Sequence, residues 1–245
     1  MKKSLYALAL SALLFSLPTV GSHAGTLITI SKSKKLADED RKVSGFRGIS
    51  SSGSYDVKIT MGNKEGLRLA GDPEDISEIE TVVEKGILKI RNKSKGGWNM
   101  KFRRGKVTVY IDAKSLNSIT LSGSGNISVE GLVRTNQLTN TLSGSGRIML
   151  STDAEEYLGT ISGSGKITVK GKADRAKINV NGSGDFEGIN LKTSETRISI
   201  SGSGNASINA EKYLHAAVSG SGNIRFSGNA KVTQSKSGSG SISRI

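Results

Sequence analysis

The sequence has no cysteine, two histidines, two prolines, and few aromatic residues: one Trp, five Tyr and five Phe. Without cysteine there can be no disulfide framework, thiolate zinc site, iron–sulfur cluster or cysteine nucleophile. His23 and His215 are too few for a histidine-rich metal site, and we expect no metal and no cofactor. The 31 glycines among 245 residues are about twice the usual share, which favours a small aliphatic core.

The first 24 residues have the pattern of a secretory signal peptide. Lys2 and Lys3 precede an apolar run over residues 5–17, and Ser22-His23-Ala24 places small residues at a cleavage site. The run is shorter than the ~20 residues of a membrane helix, and a retained anchor is the less favoured alternative. No later segment reaches that length, so we expect an exported protein without a transmembrane segment, in the periplasm, at the cell surface or outside the cell. Removal of the signal peptide, with Lys2 and Lys3, would lower the net charge from +14 to +12. The remaining positive charge favours anionic partners.

A tetrapeptide repeat dominates the second half of the chain. Ser-Gly-Ser-Gly starts at Ser122, Ser143, Ser162, Ser201, Ser219 and Ser237, and Asn181-Gly182-Ser183-Gly184 fills the remaining position. Consecutive copies start roughly 19 residues apart, and such a fixed period is the signature of a repeat architecture. Seven copies at a near-constant period, each flanked by aliphatic residues, exclude a flexible glycine-serine linker.

Apolar residues recur at fixed positions around each tetrapeptide, and these positions share one parity. The residue before the tetrapeptide is Leu121, Leu142, Ile161, Val180, Ile200 or Val218, and Lys236 in the last copy. The fifth residue after its start is Ile127, Ile148, Ile167, Phe186, Ala206, Ile224 or Ile242; the seventh is Val129, Leu150, Val169, Gly188, Ile208, Phe226 or Arg244. A period of two within each copy predicts strands, and the ~19-residue period predicts that successive strands stack in register. A leucine-rich repeat would place leucines at fixed helical and strand offsets, and a propeller blade would need ~40 residues. Neither fits, so the pattern indicates an all-β, single-stranded parallel β-helix-like solenoid.

The tetrapeptide itself is interpreted as a corner between two faces of the solenoid. Its glycines share the inward parity of the aliphatic residues, and glycine tolerates unusual φ angles where a side chain would be crowded. Its serines point outward, where hydroxyl ladders between coils are possible. In the last coil, Lys236 and Arg244 place charge at the open end and should prevent edge pairing.

The segment before the repeats is less regular. Residues 25–45 are polar and are predicted to form a flexible lead-in. Residues 46–245 are assigned to the solenoid, with irregular coils over 46–118 and repeat coils over 119–245. Asp72-Pro73-Glu74-Asp75 is typical of a helix start, with Ile76, Ile79 and Val83 near helical spacing. The favoured alternative is a short helical turn followed by a hairpin of residues 80–83 and 87–90.

The whole pattern resembles a known family. The segments that carry the resemblance are Phe46-Arg47-Gly48-Ile49, Leu67-Arg68-Leu69-Ala70-Gly71-Asp72, Gly86-Ile87-Leu88-Lys89-Ile90 and Leu116-Asn117-Ser118-Ile119-Thr120-Leu121, followed by the Ser-Gly-Ser-Gly coils. The pattern is similar to that of the head GIN domain family, which consists of exported bacterial proteins labelled auto-transporter adhesins. The resemblance covers residues 46–245. It implies a right-handed solenoid whose first half continues the same stack, and it brings no catalytic residues. No translocator barrel follows the repeats, so we do not expect a complete auto-transporter.

The stretch over residues 91–106 is the candidate binding site. It contains seven basic residues, no acidic residue and the only tryptophan. A basic loop with aromatic side chains can hold polyanions through charge and stacking; a solvated hairpin loop is the plainer alternative. The candidate contact residues are Lys95, Trp98, Lys101, Phe102, Arg103, Arg104 and Lys106.

Other sites are weaker candidates. Glu155 and Asp174 lie at one offset on adjacent coils, as carboxylates of a polysaccharide-active enzyme would; a solvated face is the plainer alternative. His215 is expected on the surface, and the residues after the tetrapeptides do not repeat the Asp of a calcium-binding roll.

We therefore predict a non-enzymatic exported binding or adhesion module for anionic glycans or the cell-envelope surface, with no nucleic acid expected. The alternatives are the polysaccharide-active enzyme and a purely structural envelope protein. The oligomeric state and the identity of the ligand are left open.

Overall fold

The computed structural model describes residues 37–93 and 107–245, and most of them lie in β-strands. One short helix, α1, covers Pro73–Ser77. The strands are β1 (Ala37–Arg41), β2 (Gly48–Ser52), β3 (Asp56–Met61), β4 (Gly66–Gly71), β5 (Ile79–Glu84), β6 (Ile87–Asn92), β7 (Thr108–Ala113), β8 (Ser118–Gly123), β9 (Asn126–Gly144), β10 (Arg147–Gly163), β11 (Lys166–Gly182), β12 (Asp185–Gly202), β13 (Asn205–Gly220), β14 (Asn223–Ser227), β15 (Lys231–Ser237) and β16 (Ser241–Arg244). The predicted signal peptide, residues 1–24, lies outside the described residues.

No helix within residues 37–93 and 107–245 has the length and apolar character needed to span a membrane.

Strands β9 to β13 stack in sequence order as parallel neighbours, and each spans nearly a whole coil. The register pairs Ile148 with both Ile127 and Ile167, and Ile161 with both Leu142 and Val180. Residues at equal offsets from the tetrapeptide therefore lie on adjacent rungs. This confirms the predicted solenoid, with one tetrapeptide repeat in each coil.

The predicted apolar columns form the core. Leu121, Leu142, Ile161, Val180, Ile200 and Val218 are all buried, and so are the residues from Ile127 to Ile224 in the next column. Each buried aliphatic side chain contributes about 1.5–3 kcal/mol relative to an exposed one. The members of each column stack directly on one another, and other inward residues such as Leu138, Ile178 and Ile198 complete the core.

The last coil ends the core with charged side chains, as the sequence predicts. Lys236 and Arg244 are exposed. The Arg244 guanidinium lies 5.1 Å from the centre of the Phe226 ring and donates to the carbonyl oxygens of Gly228 and Ala230. Arg244 therefore covers the last aromatic side chain of its column and satisfies carbonyls at the end of the stack.

The corners depend on glycine for steric reasons. The first glycine of every tetrapeptide has a φ between +108° and +127°, which side chains rarely allow. A Cβ on Gly163 would lie 2.6 Å from the carbonyl oxygen of Gly144 one coil below, and a Cβ on Gly165 would lie 2.6 Å from that of Gly146. The corners thus stack backbone against backbone, with Ser164 N–H donating to the Gly144 carbonyl at 3.0 Å.

The corner serines do not form the hydroxyl ladder that their outward positions would allow. Among the described residues, the hydrogen-bonded ladder lies at the position after the tetrapeptide instead. There Asn205 Nδ2 donates to Asp185 at 3.1 Å, Asn223 Nδ2 donates to Asn205 at 3.1 Å, and Ser241 Oγ donates to Asn223 at 2.7 Å. Each of these hydrogen bonds includes at least one asparagine, whose amide side chain reaches further toward the adjacent rung than a serine hydroxyl does.

The N-terminal coils are in the same stack but not in chain order. Strands β2 and β3 form a coil with an eighth corner, Ser52-Gly53-Ser54-Tyr55, whose Gly53 carbonyl accepts from Gly125 N–H at 3.2 Å. Strand β2 pairs on one side with β8 and on the other with β6, while β3 pairs with β9 and β7. The coil of β2 and β3 therefore lies between the coil of β6 and β7 and the coil of β8 and β9, so the stacking order differs from the order in the chain.

Antiparallel strands close this end of the solenoid. Strand β4 pairs with β7, and β5 forms a hairpin with β6. Helix α1 begins after Asp72, whose carboxylate accepts from Glu74 N–H at 2.9 Å, and it buries Ile76. The favoured prediction of a short helical turn and a hairpin is confirmed.

The prediction of a flexible lead-in over residues 25–45 is wrong for residues 37–41, which form β1 against β4. Arg41 donates to the carbonyl oxygens of Ile79 at 2.7 Å and Ile76 at 3.2 Å, and Arg68 donates to Asp38 at 2.9 Å. An edge strand held by backbone pairing and charged contacts buries little apolar surface, so its composition resembles that of a loop.

The corner geometry predicts a large difference between neighbouring residues of one tetrapeptide. Gly163→Ala should lower the free energy of unfolding by about 2–3 kcal/mol, because it combines an unfavourable φ with a clash against backbone. Ser162→Ala and Ser164→Ala, at exposed positions in the same corner, should change it by less than about 0.5 kcal/mol. Urea unfolding followed by circular dichroism measures all three variants, and equal effects would contradict the backbone stacking.

A buried tyrosine predicts how stability responds to alkali. Tyr157 is fully buried, and its hydroxyl accepts a hydrogen bond from Asn140 at 3.1 Å. Burial raises the pKa of Tyr157 above its ordinary value, and burial raises the pKa of Tyr55 to about 12. Because the unfolded chain releases these protons near pH 10 while the folded chain retains them, stability should fall as pH rises above about 10.

Tyr157→Phe should make this loss of stability less steep between pH 10 and 12, although the variant also costs stability at pH 7 by leaving Asn140 without its partner. Unfolding midpoints measured from pH 8 to 12 for both proteins check the slope. An unchanged slope would show that Tyr157 does not hold its proton in the folded state.

Candidate binding surface

The seven predicted contact residues of the basic loop, Lys95, Trp98, Lys101, Phe102, Arg103, Arg104 and Lys106, lie outside the described residues. The structure does describe both strands that the loop joins. Strand β6 ends at Asn92 beside β2, and β7 begins at Thr108 beside β3. Since the Gly53 corner joins β2 to β3, the loop takes the chain position that a corner has in the other coils.

Two basic residues of the 91–106 stretch are described, and both make contacts within the fold. Arg91 Nε lies 2.7 Å from Glu80 Oε2, and this hydrogen bond raises the pKa of Arg91. Lys93 Nζ donates to the Ser77 carbonyl at 2.6 Å. These residues attach the end of β6 to β5 and to the end of α1, so we interpret them as structural anchors of the loop.

A flat polar face adjoins the corners. It is formed by the outward side chains of β2, β8, the second halves of β9 to β13, and β15, and we call it the hydroxyl face. One column is the first residue of each tetrapeptide, which is serine in every coil but one. The next column, two residues earlier, contains Ser50, Thr120, Thr141, Thr160, Asn179, Ser199, Ala217 and Ser235. Hydroxyl and amide groups therefore repeat at the rung spacing of about 4.8 Å.

The third column of the hydroxyl face carries positive charge. The register places Arg197 between Lys177 and His215 on three consecutive rungs, and all three side chains are exposed. None of them forms an ion pair with a described residue. We call these three residues the cationic column.

Acidic residues are missing from these three columns over the strands from β2 to β15. Like charges on adjacent rungs destabilise a sheet, and no carboxylate lies within these three columns. Glu195, two residues before Arg197, is exposed at the adjoining edge of the face and forms no ion pair with Arg197. The arrangement is therefore costly to the fold and suited to an anionic ligand.

The apolar columns of the repeat predict the core but not this face. The same alignment, read two and four residues before each tetrapeptide, contains the hydroxyl and cationic columns. His215 is on the surface, as expected, and its position beside Arg197 gives it a place in the cationic column rather than a catalytic setting.

Glu155 and Asp174, the candidate enzyme carboxylates, both line a shallow depression of about 450 Å³. Both are exposed, and the depression also contains Arg134, Asp153 and Lys172. Lys172 Nζ lies 3.4 Å from Asp153. Within 37–93 and 107–245, no three histidine or acidic side chains are grouped as a metal site would require.

The family model described as "putative auto-transporter adhesin, head GIN domain" matches residues 45–230, which is most of the chain. The protein belongs to the head GIN domain family. None of the curated proteins matches the chain.

Crystal structures of similar proteins share this head GIN fold. A putative adhesin from Bacteroides fragilis is 27% identical, with a TM-score of 0.78 over 87% of this chain and 98% of its own. A putative lipid binding protein from Parabacteroides distasonis is also 27% identical, with a TM-score of 0.74 over the same shares. A putative adhesin from Parabacteroides distasonis, at 22% identity and a TM-score of 0.71 over 87% of this chain and 98% of its own, shows the fold alone.

The cationic column predicts that removing charge stabilises the protein. At low salt, Lys177→Gln with Arg197→Gln should raise the free energy of unfolding by about 0.2–1 kcal/mol, and the gain should shrink in 0.5 M salt because screening weakens the repulsion. Denaturant unfolding at both salt concentrations measures it.

Arg225→Gln is the matched control. Arg225 lies between Ser207 and Ser243 on its rungs and lowers the pKa of Glu187 as a minor contributor after Lys166, so its removal should not stabilise the fold. A similar gain from Arg225→Gln would show that repulsion within the column is not its cause.

Proposed function

We propose that the protein is a non-enzymatic, exported adhesion module that binds anionic glycans of the cell envelope along its solenoid. The observation that carries this proposal is the hydroxyl face, where two columns of mostly hydroxyl and amide side chains lie beside the cationic column and none of the three columns contains a carboxylate. The family's description as an adhesin supports binding to a surface.

The chemistry of the hydroxyl face suits a sugar polymer. Serine, threonine and asparagine side chains can donate to and accept from sugar hydroxyls. Lys177 and Arg197 can attract the carboxylate or phosphate groups of an acidic polysaccharide. Each contact is weak, but a linear polymer lying along the axis meets the same groups on successive rungs.

The basic loop is proposed as a second part of the same surface. The strands that it joins, β6 and β7, pair with β2 and β3, so the ends of the loop lie beside the first corner of the stack. Lys95, Lys101, Arg103, Arg104 and Lys106 would add positive charge. The rings of Trp98 and Phe102 would stack on the apolar faces of sugar rings.

Export is part of the proposal. The signal-peptide pattern over residues 1–24 would direct the chain out of the cytoplasm and then be removed. The mature protein would meet envelope glycans in the periplasm or at the cell surface.

The alternative functions have less support. An acyl chain requires an apolar pocket, and the two described depressions are lined mostly by polar and charged residues, with Phe46 and Ile87 as the large apolar residues of the larger one. A glycosidase acid requires a carboxyl group removed from solvent, whereas Glu155 and Asp174 are both exposed. We therefore favour a glycan over a lipid tail as ligand, and binding over catalysis.

The test is binding of the mature protein to alginate and to lipopolysaccharide, with neutral dextran as comparison, by isothermal titration calorimetry. The affinity for the two anionic probes should fall at least tenfold between 50 and 500 mM salt, since charge dominates the contact. Lys177→Glu with Arg197→Glu, and Arg103→Ala with Arg104→Ala, should each weaken binding at least tenfold.

Arg225→Gln, outside the hydroxyl face, is the control and should bind like the wild type. Absence of binding at 50 mM salt, or equal loss in the control, would refute the proposal. Release of reducing sugar ends that Glu155→Gln abolishes would establish the enzyme instead.

A further inference from the structure

A larger depression lies at the opposite edge of the hydroxyl face from the corners, where strands β2, β6 and β8 begin. Its volume is about 700 Å³. Glu65 and three chain segments line it: residues 45–47 before β2, residues 85–87 at the β5–β6 turn, and residues 114–118 from the end of β7 to the start of β8. Because these segments are far apart in sequence, the depression exists only through the out-of-order stacking of the N-terminal coils.

Backbone hydrogen bonds hold the three segments side by side. Arg47 N–H and Gly48 N–H both donate to the Gly86 carbonyl, at 2.8 and 3.1 Å. Asn117 N–H donates to the Arg47 carbonyl at 2.8 Å. The segment of Arg47 therefore lies between the other two, and the side chains of all three open onto one surface.

Each segment contributes one cation. Arg47, Lys85 and Lys114 line the depression and are exposed, and none forms an ion pair with a described residue. One carboxylate, Glu65, also lines it, and Glu65 Oε2 accepts from Gly45 N–H at 2.9 Å. The charges in this depression therefore sum to about two positive units.

Lys85 occupies a turn position that its side chain disfavours. Its φ is 51° and that of Gly86 is 74°, which is the geometry of a two-residue hairpin turn that favours Asn-Gly. A left-handed φ costs a lysine energy that glycine or asparagine largely avoids. The turn thus carries a cation at a position where a neutral residue would stabilise the fold more.

We propose that this depression is an anion-binding site that takes a phosphate group. A phosphomonoester carries a charge of about −1.5 to −2 at pH 7, which matches the excess positive charge better than a single carboxylate does. The Arg47 guanidinium can bind two phosphate oxygens at once, and Lys85 and Lys114 act as point charges on either side.

The site is separate from the proposed glycan surface. Along the same edge of the hydroxyl face, the rungs of Thr139 and Leu158 separate Ser118, at the edge of the depression, from Lys177 in the cationic column. Substitutions at one place therefore leave the other intact, and the two proposals can fail independently.

The experiment measures the affinity of the protein for inorganic phosphate by isothermal titration calorimetry and its melting temperature in phosphate and in chloride at equal ionic strength. Phosphate should raise the melting temperature more than chloride does, because a ligand of the folded state stabilises it. Lys85→Asn and Arg47→Gln should each lower the affinity for phosphate at least tenfold.

Lys85→Asn distinguishes a binding role from a structural one. Without phosphate this variant should melt at a higher temperature than the wild type, since asparagine tolerates the left-handed φ, yet it should lose the shift caused by phosphate. Lys212→Gln, an exposed lysine on β13, is the control and should keep the shift. A wild-type phosphate response in Lys85→Asn, or an equal loss in Lys212→Gln, would overturn the proposal.

Two further probes identify the source of the phosphate group. Vesicles of phosphatidylcholine with and without phosphatidic acid test a lipid headgroup by co-sedimentation, and glucose 1-phosphate tests a soluble phosphoester by calorimetry. Binding of either probe that Lys85→Asn abolishes supports the site and assigns its ligand. Binding of neither probe, together with no effect of inorganic phosphate, rejects it.

Discussion

The close contact between backbones at the corners is the constraint on which the rest of the solenoid depends. Each corner places the carbonyl oxygen of one glycine where the Cβ of the next coil's residue would lie, and so it fixes the axial position of every coil. Strands that leave and enter such corners must be in register. The stacking of Ile127 on Ile148 and of Ile148 on Ile167 is a consequence of that register.

The same register also determines the surface. Because alternate residues of a strand point to opposite faces, a sequence that repeats its inward residues repeats its outward ones at the same spacing. The hydroxyl face is thus produced by the geometry that produces the core. Its columns differ in cost: hydroxyl groups stack without penalty, whereas Lys177 and Arg197 repel one another on consecutive rungs. A cost that the core does not require is an argument for a ligand.

The repeat coils could be predicted from the sequence because their information is local: each tetrapeptide and its flanking aliphatic residues recur in every coil. The stacking order of the N-terminal coils could not be predicted, because the position of β6 and β7 depends on pairing with β2 and β3, which come much earlier in the chain. The eighth corner was missed since Tyr55 replaces the second glycine. The basic loop could be recognised from the sequence because its basic and aromatic residues are close together in the chain. The phosphate depression could not be, because its cations come from three separate segments.

The irregular end and the regular stack therefore suit different kinds of ligand. A uniform stack presents equal groups on every rung, which favours polymers with many equivalent contacts and gives little selectivity for a single position. The coil of β6 and β7 breaks that uniformity, since it brings the Lys85 turn beside Arg47 and replaces a glycine corner by the 94–106 segment. Selectivity in this fold should accordingly be concentrated in the first coils, whereas the repeat coils determine how much of a polymer is held.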